Sequence, residues 1–193
     1  MKENFDEEKV DLRILKTRNV LYHSLEELMK NKAFEEIKVS DICNKALINR
    51  STFYAHYSDK YELLAEYINS LKDALRLELE KNSNIKNSRE YYIEMIKLLL
   101  NHIEEKKDTY IAIMINNKNS ITMDILYDVI NKTIFDQMKD EKTSKKIPMD
   151  IILKFYLGGV LNVCIEWLKY NNKHSKQEII DYIDLLIPKD FDK

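Results

Sequence analysis

Apolar residues along this chain recur three and four positions apart, so the pattern reads as a succession of amphipathic helices. The first runs from about Asp11 to Asn31, with Ile14, Leu21, Leu25, Leu28 and Met29 turned inward and Ser24 as the small residue where helices cross. Phe34 and Ile37 staple the next element. Two short helical patterns then meet within Val39–Lys60, reading VSDICNKALINRSTFYAHYSDK. Ile42 and Ala46 form the inner face of one, Ile48, Phe53 and Tyr57 serve the other, and Ala46-Leu47-Ile48-Asn49 joins them. Asn49 is a good N-cap for the second.

Because Phe53 and Tyr57, at i and i+4, face the core, Arg50, Ser51, Tyr54 and Ala55 point outward. A short helix, a tight turn and a second helix with a polar outer face is the layout of a helix-turn-helix DNA reader. Ser58-Asp59 caps a fourth helix reaching about Glu80, with Leu63, Leu64, Tyr67, Ile68, Leu71, Leu75 and Leu79 at helical spacing. Asn82–Asn87 reads as a break, followed by helices at about Ser88–Glu105, Asp108–Asn117 and Ser120–Lys139.

After the polar linker Asp140–Lys146, Pro148 opens a helix over Met149–Tyr170 that is apolar almost all round, with Lys154, Asn162 and Glu166 as one thin polar stripe. Such a helix must be covered on two sides, one by its own domain and one by a partner. A membrane is the wrong partner, since the uncharged run Phe155–Ile165 has 11 residues, too few to span. Both of the chain's glycines, Gly158 and Gly159, lie mid-helix there and suggest close approach of another backbone. Ser175 and Glu178 form a capping box for a last helix with Ile179, Ile183, Leu186 and Ile187 on one face, ended by Pro188. Pairing of these two helices with their copies, through Phe155, Gly158, Gly159, Val163, Trp167, Ile179, Ile183 and Leu186, makes a four-helix homodimer interface.

Two glycines and two prolines in 193 residues agree with a nearly all-α chain, and 45% hydrophobic content is ample for its core. The net charge of −2 excludes a polycation that coats nucleic acid. Val10–Lys60 carries nine Lys/Arg against seven Asp/Glu, a local excess of two, so DNA affinity must come from positioned contacts in a dimer. Cys43 and Cys164 lie far apart in apolar stretches and read as buried free thiols, and no Cys/His spacing fits zinc. The acidic N-terminus lacks the apolar core of a signal peptide, giving a cytoplasmic expectation. No enzyme is expected: His23, His56, His102 and His174 are dispersed, phosphate loops need more glycine, and Glu26-Glu27, Glu35-Glu36 and Glu104-Glu105 read as solvated faces. No cofactor is called for.

The run NRSTFYAHYSDKYELL (Asn49–Leu64) resembles the recognition helix and following helix of the TetR family of transcriptional regulators, and the likeness extends over about Lys16–Leu64. The segment FYLGGVLNVCIEW (Phe155–Trp167) is similar to a branch of activator-type regulators of dihydroxyacetone utilisation. The sequence departs from the family pattern at Ala33 and Leu47, where glycine is usual, and at Lys38, which replaces a threonine N-cap; Ser40 offers a cap one turn later. The resemblance implies a helix-turn-helix head over residues 10–58, a ligand-binding and dimerisation body over 59–193, and a homodimer on a palindromic double-stranded operator.

Within that head, Arg50 and Ser51 are the direct-readout candidates. Lys38, Ser40, Asn49, Thr52, Tyr54, His56 and Lys60 are the other DNA-facing candidates, several suited to phosphates, with Thr17 and Arg18 near the start of the first helix. The resemblance also implies an unidentified small-molecule effector, for which Tyr67, Tyr91, Tyr92, Met95, Leu99, His102, Tyr110, Met114, Tyr127 and Tyr156 supply an aromatic, methionine-rich lining. The alternative is a TetR-like co-regulator that acts through protein–protein binding.

Overall fold

A computed structural model describes residues 12–81, 85, 87–116, 121–138, 147–170 and 173–187. Among these every regular element is helical, and no helix is long and apolar enough to cross a membrane. The chain runs α1 (Leu12–Met29), a 3-10 turn (Phe34–Glu36), α2 (Val39–Ala46), α3 (Arg50–Tyr54) and α4 (Lys60–Glu80). It continues with α5 (Ser88–Glu105), α6 (Lys107–Tyr110), a π-helical turn (Ile111–Ile115), α7 (Ile121–Met138), α8 (Met149–Lys169) and α9 (Lys176–Leu186). The expected linker 140–146 and Pro188 fall outside the described residues.

α1 buries Leu21, Ser24, Leu25 and Met29 against α2 and α4. Ile14, expected inside, is 40% exposed, because its turn of α1 projects beyond the elements that cover Leu21 onward. Helix starts follow their caps. The Asp59 carboxylate accepts from the N–H groups of Tyr61 and Glu62 at α4, and Asn87 accepts from Glu90 at α5. Ser175 and Glu178 form the expected reciprocal box at α9. The segment expected as one helix over Asp108–Asn117 instead changes register, α6 passing at Tyr110 into the π turn. α4 bridges the two ends of the fold: it packs on α1 in the head and on α5 and α7 in the body.

Candidate nucleic-acid interface

Lysine has no acceptor, so Lys38 holds the N-cap position of α2 by backbone alone. Asp41 does the capping: its carboxylate accepts the Lys38 N–H at 3.1 Å and the Lys32 ammonium at 2.7 Å. The Lys32 bond, then the Lys38 N–H, hold Asp41 below the ordinary carboxylate range. Ser40 therefore lies inside the first turn of α2, half-buried, and does not cap a later helix as expected.

Leu47 closes α2 in the left-handed region, φ 55° and ψ 40°, among the described residues the one non-glycine with positive φ. The Ile48 N–H reaches back to Cys43 O at 3.1 Å, closing the helix with the bond of a Schellman turn. A leucine there costs about 1–2 kcal/mol, and its side chain is 92% exposed. The turn keeps the left-handed geometry that glycine usually provides.

Asn49 takes the N-cap backbone position of α3, but its side chain makes no capping bond, contrary to expectation. What holds α3 is its apolar face. Phe53 is fully buried, Tyr57 nearly so, and their rings lie 5.9 Å apart. The Tyr57 hydroxyl donates to that of Tyr22 on α1 at 3.4 Å. Burial of Phe53 turns Arg50 and Ser51 to the exterior, and Tyr54, 56% exposed, sets its ring edge-on to Phe53 at 5.4 Å. Thr52 and His56 are half-buried on the flanks, and Lys38 is exposed.

Lys60 is placed otherwise than expected. Its ammonium donates to the carbonyls of Phe34, Glu35 and Ile37, each at 2.9 Å, and lies 4.7 Å from the Phe34 ring centre. All of its protons are engaged within the head, so it buckles α4 to the 3-10 turn and has none left for a phosphate. Burial lowers its pKa. At α1, the Thr17 hydroxyl donates to Arg13 O, and Arg18 Nε is buried without a hydrogen-bond partner among the described residues.

In the body, His102 Nδ1 and the Tyr110 hydroxyl lie 2.7 Å apart. Burial pushes up the pKa of Tyr110 and of Tyr92, with Cys164 beside both and Tyr156 beside Tyr92, and pushes the fully buried Cys164 thiol up to about 12. Tyr110 and Tyr92 thus lie near Cys164, with His102 bonded to Tyr110 and Tyr156 near Tyr92. Burial, then Lys106, lowers the His102 pKa. Met114 is buried; Tyr91, Met95, Leu99 and Tyr127 are half-buried. Tyr67 donates to Glu26 on α1.

Glu26 corrects a second expectation. Its side chain is 16% exposed against 48% for Glu27, so the pair is not a solvated face. The signal was its spacing: Glu26 is one turn from Tyr22, whose ring packs 5.4 Å from Tyr67.

Of the expected pairing residues, Phe155 and Leu186 are exposed, whereas Trp167, Ile179 and Ile183 are largely buried within their own subunit. Val163, Trp167, Ile179, Ile183 and Leu186 line one groove of about 830 Å³ between α8 and α9. Phe155 is 75% exposed, and a methyl group at Gly158 or Gly159 would meet nothing within 4 Å among the described residues.

A short helix, a left-handed turn and a second helix with a buried aromatic anchor and a polar outer face define a helix-turn-helix protein. The chain belongs to the TetR family of bacterial transcriptional regulators: the family description "Bacterial regulatory proteins, tetR family" matches residues 21–67, and "Transcriptional regulator C-terminal region" matches 90–189. Members of this family are DNA-binding, dimeric regulators and not enzymes. The chain is 29% identical over 127 residues to the HTH-type dhaKLM operon transcriptional activator DhaS of Lactococcus lactis, covering 64% of this chain and 63% of that protein. It is 40% identical over 63 residues to the HTH-type transcriptional regulator YxbF of Bacillus subtilis, 32% of this chain and 17% of the other, so it spans less than two thirds of either relative. Among solved structures, a TetR transcriptional regulator from Streptococcus agalactiae superposes with a TM-score of 0.67 at 21% identity, covering 93% of this chain and 97% of that one. FadR of Thermus thermophilus, a TetR family repressor in complex with lauroyl-CoA, gives 0.60 at 17% identity over 88% and 92%.

Proposed function

We propose that this chain is a homodimeric, ligand-controlled DNA-binding regulator that sets the α3 helices of two subunits into successive major grooves of a palindromic operator. The observation that carries the reading is the outward face of α3: Arg50, Ser51 and Tyr54 exposed while Phe53 and Tyr57 are buried. Arg50 and Ser51 read base edges; Tyr54, Thr52, His56 and Lys38 donate to the backbone. Residues 10–58 act as the head and 59–193 as the body. The groove between α8 and α9, with Phe155 and the glycine surface beside it, receives the second copy. The cluster of His102, Tyr110, Tyr92 and Tyr156 is the place for an effector, a reading supported by the acyl-CoA ligand of the Thermus neighbour. An effector acts by binding one head separation better than the other.

The test is a gel shift on DNA upstream of the protein's own gene. Arg50→Ala costs about 1–3 kcal/mol of affinity, or about 5- to 150-fold, and Tyr54→Phe weakens binding less. Wild-type affinity falls steeply with salt. Binding unmoved by either substitution overturns the site, and salt-independent association with a protein in place of DNA points to the co-regulator alternative.

A further inference from the structure

The last two residues of α6 face different neighbours. Tyr110 pairs with His102 inside the body. Thr109, buried, donates its hydroxyl to Oε1 of Glu26 on α1. The same carboxylate accepts the Tyr67 hydroxyl of α4 at 2.9 Å, with Lys30 Nζ 3.5 Å and His23 Nδ1 4.0 Å away. One carboxylate therefore ties together the helix that carries the head, the helix that bridges head and body, and a helix of the body. Charge-assisted bonds of this kind are strong and short in reach.

α6 runs directly into the π turn, closed by Asn116 N–H to Ile111 O at 3.0 Å. π turns inside helices are rare and recur at functional sites. Passing from π to α register re-phases a helix by one residue, about 100° of rotation, enough to swing a threonine hydroxyl out of reach.

We propose that Glu26 is a positioning residue that latches the head to the body, with Thr109 as the movable catch and the π turn as the element that shifts. The proposal rests on the regulator reading above and deepens it: whatever the body holds against Tyr110 sets the register of α6, which decides whether Thr109 reaches Glu26 and at what angle α1 carries α3.

The test measures head-to-body geometry within one chain of the full-length protein. Spin labels go on Lys45→Cys in α2 and Asp128→Cys in α7, both exposed, while Cys43 and Cys164 stay buried; labelled chains are diluted with unlabelled ones. Thr109→Val, which keeps the shape and removes the hydroxyl, broadens or shifts the distance distribution, and Thr109→Ser restores it. A Val variant with an unchanged distribution overturns the latch, as does a Ser variant that behaves like Val. Because this measurement needs neither DNA nor dimer, failure of the wild type in the gel shift counts against the regulator reading alone.

Discussion

Replacing Lys60 with methionine separates two roles that a lysine beside a DNA-reading helix can have. The ammonium donates to three carbonyls at 2.9 Å and lies over Phe34. Hydrogen bonds to a charged group contribute about 1.5–3 kcal/mol each, and cation–π attraction about 0.5–1. These do not add for a half-buried side chain, so Lys60→Met costs about 2–4 kcal/mol in all. At about 2–4 °C per kcal/mol for a chain of this length, the melting temperature falls by roughly 10 °C. The second readout is the slope of log K against log salt on operator DNA, which becomes shallower by about 0.9 for each phosphate the protein no longer neutralises. A buckle contributes no counterion release, so the slope of the folded variant equals that of the wild type. A slope shallower by about one, with the melting temperature unmoved, would refute the assignment and return Lys60 to the phosphates.

Leu47→Gly relieves a left-handed leucine worth about 1–2 kcal/mol and loses about 0.5–1 to chain flexibility, a net gain of up to about 1.5 kcal/mol in urea denaturation. Leu47→Ala gains nothing, since alanine meets the same clash; equal behaviour of the two variants would count against strain at φ 55°. His102 has a folded pKa lowered by burial, so the unfolded chain takes up protons first, near the usual value of about 6.5. The stability it contributes is present above that pH and declines as pH drops through it toward the folded value; His102→Gln flattens this part of the urea-midpoint profile, and an unaltered profile would contradict the burial effect. Leu186→Glu places a charge in the α8–α9 groove, and sedimentation is expected to show monomer where the wild type shows dimer.

Much of the architecture was legible because helical spacing and caps agree with one another. Ser175, Glu178 and Asp59 start their helices where the pattern changes, and each is a side chain acting on its own backbone. Phe53 and Tyr57 fixed the outward set on α3 by the same local logic. Local logic also failed twice, at Asn49, whose side chain makes no capping bond, and at Ser40, which lies inside α2; the misreadings of Lys60 and Glu26 are long-range. Lys60 meets partners 23 to 26 residues away, and Glu26 meets Thr109 across 83, so no window of sequence holds both ends of either interaction. The π turn is a register change that apolar spacing over Ile111–Ile115 does not distinguish from an α-helix.

Packing among the described residues does not require glycine at 158 or 159, since a methyl group at either would enter open space. Alanine would stiffen α8 by about 0.8–1 kcal/mol per position, so the isolated subunit is less rigid than it could be. If a second backbone lies against that surface, the same methyl groups would hold it off. Hardening the subunit and tightening the pair then pull in opposite directions, and thermal scans of an alanine variant would cross those of the parent on dilution.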